Sequence, residues 1–249
     1  MRTAFVHIGR HKTGSTAIQG FLEAERSALA ERGLWVLRRT DYAAHSPLSG
    51  ALPVPGTNLF DLANAFLRDG VLTGVRARGL VPVLPDSAKA ALARAVNAVL
   101  RAAPQPDVVL SAEGFSFYRT AAETQWLDRV TEGFARRVLL FEREPESWAR
   151  SYLAQTRWLQ KTHPELLHTP GSVLDLSDTG WQMDAGGLAR TFGLDQGLSY
   201  EAAVARDGSV VPALLRWMGV ASEDFAEAAA QWRNRTQRSG GPVGPAGGS

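Results

Sequence analysis

The chain has no cysteine among its 249 residues, which excludes disulfides, thiolate metal sites and a cysteine nucleophile. That absence points to a cytoplasmic protein. Long apolar runs are missing too: the stretch Thr3 to Ile8 is too short for a signal-peptide core, and nothing approaches the roughly 18 apolar residues that cross a bilayer. No membrane span is expected. A strong charge of one sign is also lacking. Lys+Arg of 27 against Asp+Glu of 25 leaves a net charge of +2, too little to imply nucleic acid as a partner. The basic residues are nearly all arginine, the side chain suited to forked recognition of phosphate and sulfate.

What is present is a chain that is 45% hydrophobic, enough for one globular domain over residues 1–238. A tail rich in glycine and proline, residues 239–249, is expected to be disordered. Ala4 to Ile8 reads as a strand, and from Ser15 the spacing turns helical with Ile18, Phe21, Leu22 and Leu29. Gly33 suits a helix stop before a second strand, Leu34 to Leu37. Residues 41–57 read as a long loop, and Leu59, Leu62, Ala63, Phe66 and Leu67 fall at helical spacing. A helix over about 87–101 precedes a third strand, Val108 to Ser111. Another helix around 123–134 leads to a fourth, Val138 to Phe141, after which Pro145 suits a first helical turn. Residues 161–180 resemble a flap, Leu198 to Tyr200 a last short strand, and Val211, Leu214, Leu215 and Met218 one face of a helix stopped by Gly219. Strands alternating with helices predict an α/β fold of three layers, a central mostly parallel sheet flanked by helices. Ligands on such sheets bind outside the carboxyl ends of the strands. The opening loop, Ser111 to Glu113 and Arg143 all fall at such ends.

The segment His7 to Gln19, HIGRHKTGSTAIQ, has the outline of a phosphate-binding loop with a displaced lysine. The nucleotide loop G-x-x-x-x-G-K-[ST] sets lysine after the second glycine, where it reaches the outer phosphates. Here Gly9 and Gly14 keep the glycine spacing and Ser15 and Thr16 follow, but the lysine is Lys12. A glycine-containing turn between strand and helix exposes backbone N–H groups at the positive end of the helix dipole, so an anion is expected there. Lys12 would lean over that anion from inside the turn. No acidic residue stands where magnesium would be held: the third strand reads Val108 to Ala112, with Glu113 beyond its end.

His7-Ile8-Gly9 with Lys12-Thr13-Gly14-Ser15-Thr16 and Gln19 resembles the 5′-phosphosulfate loop of sulfotransferases that use 3′-phosphoadenosine 5′-phosphosulfate, particularly bacterial members and the glycan-modifying branch. A second motif of that family is a strand ending in arginine, with a serine eight residues on in the next helix. Arg143 and Ser151 match it. The likeness covers mainly residues 4–37 and 107–155, with a weaker echo at Asn234-Arg235-Thr236. It implies a P-loop-type fold and an enzyme that moves a sulfuryl group from that donor to a hydroxyl of a carbohydrate, lipid or secondary metabolite, without a metal. By the same resemblance Arg10, His11, Lys12, Thr13, Gly14, Ser15 and Thr16 hold the 5′-phosphosulfate. Lys12 faces the bridging oxygen, Arg143 and Ser151 anchor the 3′-phosphate, and Arg235 adds a phosphate contact.

The acceptor hydroxyl needs a general base. The glycan-modifying branch places a glutamate soon after the second strand, where this chain reads Arg38 to His45. His45, whose imidazole type titrates near neutrality, is the first candidate, Asp41 the second and Glu113 the third. Two alternatives remain open: a phosphate-loop kinase of a small molecule, and a non-catalytic protein that binds adenosine 3′,5′-bisphosphate or the intact donor. His7, alternating on a strand, reads as a packed or hydrogen-bonded core residue.

Overall fold

The computed structural model describes residues 1–48, 55–177, 182–194 and 197–232. Five strands, β1 (Thr3–Ile8), β2 (Leu34–Val36), β3 (Asp107–Ala112), β4 (Ala135–Glu142) and β5 (Leu198–Ser199), form one sheet in the order β2-β3-β1-β4-β5. Every pairing is parallel. Near-continuous apolar runs such as Ala4 to Val6 and Val108 to Leu110 suit strands covered on both faces.

Strand alternation divides the core in two. Val6 and Ile8 of β1 and Val108 and Leu110 of β3 join one apolar cluster with Leu62, Phe66, Leu92, Val96, Leu127 and Trp148. These come from helices Phe60–Phe66, Asp86–Ala102, Ala121–Val130 and Pro145–Gln155. On the other face Phe5, Val109, Leu139 and Phe141 pack with Ile18, Phe21, Leu22, Leu214 and Leu215, from helices Ser15–Ala24 and Val211–Met218. Burial of each such large apolar side chain contributes about 1.5–3 kcal/mol, so both helical layers are held to the sheet by area rather than by special contacts.

The strand order positions the site. From β1 the chain moves out to β2, returns through β3 beside β1, and then passes to β4 on β1's other side. Direction therefore reverses at β1, and a crevice opens at its carboxyl end between β3 and β4. His7 is in register with Ser111 and Leu139, so the loop after Ile8, the turn after Ala112 and the segment after Glu142 share one end of the sheet.

Local departures from the sequence reading have local causes. The first helix ends at Ala24 and a second runs Arg26–Glu31. The expected loop 41–57 begins as 3-10 turns over Arg39–His45, because the Asp41 carboxylate accepts from the Arg38 N–H at 2.8 Å and Tyr42 is buried with its hydroxyl on Asp61 at 2.8 Å. The helix expected over 123–134 spans Ala121–Val130, since Thr120 and Glu123 form a capping box. The flap carries a short helix, Arg157–Thr162, and a 3-10 turn, Pro164–Leu167. Residues 49–54, 178–181, 195–196 and 233–249, with Arg235 and the expected tail among them, lie outside the described residues. Among the described residues no helix is long and apolar enough to cross a membrane.

Candidate functional site

The loop Gly9 to Gly14 is shaped by two close approaches and one left-handed residue. The Gly9 N–H donates to the Ala112 carbonyl at 3.0 Å. A Cβ on Gly9 would lie 2.8 Å from Ser15 Oγ and 3.2 Å from Glu113 Cα, so only glycine lets strand and turn meet. Gly14 has φ +84°, and a Cβ there would lie 2.6 Å from Val210 Cγ2. Between them Lys12 has φ 63°, the one positive value outside glycine among the described residues. That conformation costs a side-chain-bearing residue about 1–2 kcal/mol. The Arg10 carbonyl closes the turn, accepting from the Thr13 N–H at 3.3 Å, the Thr13 hydroxyl at 2.6 Å and the Ser15 hydroxyl at 3.1 Å.

Those bonds leave a cradle. Thr13 spends its amide and hydroxyl on the turn, and Ser15 its hydroxyl. The amides of Lys12, Gly14, Ser15 and Thr16 have no protein acceptor among the described residues, and they sit at the first turn of helix Ser15–Ala24, where N–H groups are left over by helix geometry. Donors of this kind with no internal partner fit an anion.

Arg143, just past β4, reaches this corner. Its guanidinium donates to the Lys12 carbonyl at 3.0 Å, to Ser147 Oγ at 2.8 Å and, at 3.4 Å, to Ser151 Oγ. The Nε is buried with no hydrogen-bond partner among the described residues; Glu201 lies 3.9 Å away. Arg143, just before helix Pro145–Gln155, and Ser151 within it thus meet on one side of the loop. No protein-family model matches the chain and no curated protein matches its sequence. The functional reading rests on the site's own geometry.

The Arg10 side chain turns onto helix Pro145–Gln155. Its buried guanidinium lies over the Trp148 ring, 3.9 Å from the centroid, and donates to the Gln182 carbonyl at 2.5 Å. Burial lowers its pKa to about 10, with Glu142 and Tyr152 acting the other way. The Trp148 indole in turn donates to the His11 carbonyl at 2.6 Å. Trp148 sits three residues before Ser151, on the same face of helix Pro145–Gln155.

His11 and Glu113 form the polar mouth. His11 Nδ1 is 3.1 Å from Glu113 Oε2, with both side chains about four-fifths buried. Burial pushes the Glu113 carboxyl up, but the charge and hydrogen bond of His11, with His7 and Lys12, outweigh it and hold the pKa below the usual range. Below the loop, His7 Nδ1 is 2.9 Å from Ser111 Oγ, which also accepts from Gln19 Nε2 at 3.4 Å. His7 is fully buried, with Nε2 unpartnered among the described residues, and burial drops its pKa to about 4, partly countered by Glu113.

The other two candidate bases stand apart from these contacts. Asp41 caps its own 3-10 turn and pairs with Arg26 at 3.2 Å. His45 is exposed at the end of that turn. A cavity of about 620 Å³, lined by Arg68, Lys89, Glu123 and Trp126 among others, shares no residue with the loop corner.

Proposed function

We propose that the protein is a sulfotransferase that moves a sulfuryl group from 3′-phosphoadenosine 5′-phosphosulfate to a hydroxyl of a carbohydrate, lipid or secondary metabolite. The observation that carries this reading is the Arg143 guanidinium, which joins the Lys12 carbonyl to the Ser151 hydroxyl. Two sequence motifs 131 residues apart, each suited to one end of a bisphosphorylated nucleotide, lie on one corner.

When bound, the donor supplies an activated sulfur and a 5′-phosphate leaving group. The free amides of Gly14, Ser15 and Thr16 bind the 5′-phosphate, strengthened by the helix dipole. Lys12 neutralises charge that builds on the bridging oxygen, the electrostatic role that dominates loose transfer reactions. Arg143, with Ser147 and Ser151 beside it, binds the 3′-phosphate in the forked geometry that arginine favours. Glu113 is the carboxylate placed to take the acceptor's proton: it abuts Gly9, and His11 orients it. This reverses the order of candidate bases read from sequence, because Asp41 is committed to its cap and His45 is exposed at the far end of that turn.

The test is transfer of labelled sulfur from the donor into a panel of hydroxyl compounds. Label should appear in at least one and vanish with Lys12→Ala. Turnover of magnesium ATP on the same panel, with no sulfur transfer, would replace this reading with the kinase.

A further inference from the structure

Two consecutive carbonyls of the loop are held from the same side. The His11 carbonyl accepts from Trp148 Nε1 at 2.6 Å and the Lys12 carbonyl from Arg143 Nη1 at 3.0 Å. Both donors belong to the segment that follows β4. A backbone whose successive carbonyls turn toward one partner cannot keep the alternating direction of a strand or the common direction of a right-handed helix. Here the departure falls on Lys12, at φ 63°. A residue with a Cβ does not adopt that conformation unless surrounding contacts impose it, and the Lys12 carbonyl has no other donor among the described residues.

We propose that Arg143 is a positioning residue for Lys12: its bond to the Lys12 carbonyl holds the lysine in its left-handed conformation, so whatever engages Arg143 also bears on the lysine and the amide cradle around it. The linkage itself needs no ligand. Its functional consequence rests on the donor reading, and is a form of discrimination: a nucleotide that carries a 3′-phosphate acts on the guanidinium that shapes the lysine's turn, and one that lacks it does not. Removing Arg143 then harms the 5′ end of the site as well as the 3′ end, which a simple phosphate contact would not do.

Two experiments separate the linkage from the donor reading. The first is a double-mutant cycle by urea unfolding with no nucleotide present, over the native chain, Lys12→Gly, Arg143→Ala and the double variant. Glycine relieves the left-handed strain, so Lys12→Gly should raise the urea midpoint by a few tenths molar relative to its change in the Arg143→Ala background, where the turn has already relaxed. Equal shifts in the two backgrounds would overturn the proposal. Arg143→Lys, which keeps a charge without the fork, serves the same cycle if the alanine variant does not fold. The second is calorimetry with adenosine 5′-monophosphate and adenosine 3′,5′-bisphosphate. Arg143→Ala should weaken the monophosphate about fivefold to tenfold, the scale of the conformational cost released, and the bisphosphate by more. An unchanged monophosphate affinity would reduce Arg143 to a phosphate contact and overturn the linkage. Failure of the native chain to bind either nucleotide would count against the donor reading alone, and the urea cycle would still decide the linkage.

Discussion

The corner after β1 and the segment after β2 lie at the same end of one sheet, and they use their polar residues in opposite ways. In the corner, groups from three separate parts of the chain meet: the Lys12 carbonyl and the His11 ring from the loop, Glu113 from beyond β3, and Arg143 with Ser151 from beyond β4. Several amides and one guanidinium Nε there are left without a protein partner among the described residues. In the segment Arg38 to Leu48 most polar groups are spent on one another or on nearby backbone, the buried Arg38 Nε excepted. Asp41 holds Arg38 and Arg26, Asp61 takes Tyr42 and Ser46, and Arg39 donates to the Pro55 and Asn58 carbonyls. Groups already spent on folding have little left for a ligand. Unspent groups held in a strained frame are what a binding site requires.

The sharpest way to break this comparison is Lys12→Ala, which should lower sulfuryl transfer on the order of 100- to 1000-fold, the loss seen when one group that stabilises transition-state charge is removed. Binding of adenosine 3′,5′-bisphosphate should fall far less, and a variant with native turnover would remove the lysine from the chemistry.

The floor of the corner gives the next largest effect. Folded His7 has its pKa lowered to about 4 from 6.5, so between those values the unfolded chain holds a proton that the folded one does not. Stability is therefore complete above pH 6.5 and falls as pH drops toward 4, by up to about 3 kcal/mol from this residue. Urea unfolding at pH 4.5 and 7 should show this slope in the native chain and a flatter one in His7→Gln. Parallel slopes would mean that His7 is not a buried neutral imidazole.

Glu113→Gln should cut transfer about 100-fold, within the range for loss of a general base, while His45→Ala changes it by less than about threefold. The reverse ranking would return the base to the segment after β2. The smallest effect belongs to Asp41→Asn, expected to cost about 1 kcal/mol of stability through its cap and ion pair with transfer unchanged. Native thermal stability together with lost transfer would contradict the division drawn between the two regions.

Much of this was legible in the sequence, for physical reasons that differ by residue. Strands and helices follow from apolar periodicity, as at Ala4 to Ile8 and Val211 to Met218, because burial drives both and burial has a period. The loop corner was legible because glycines at a close approach, and an arginine at a strand end with a serine eight residues on, leave marks in spacing. Side-chain direction was not. Arg10 lies in the same loop as Lys12, yet it turns onto Trp148 and Gln182, a choice made by residues far along the chain. Asp41 reads from sequence as a candidate base, and its cap role shows only in the Arg38 N–H and Arg26 beside it. Glu113 ranked last from sequence because its partner His11 lies across the sheet end, and no spacing announces that contact.

The most direct test of the central claim is calorimetric titration of adenosine 3′,5′-bisphosphate against magnesium ATP at low salt, for the native chain and for Arg143→Ala. The account predicts selective binding of the bisphosphate without metal, weakened by about 10- to 100-fold in the variant, as expected for a lost charge-assisted hydrogen-bond pair. Preference for magnesium ATP, or equal affinity in both proteins, would contradict it.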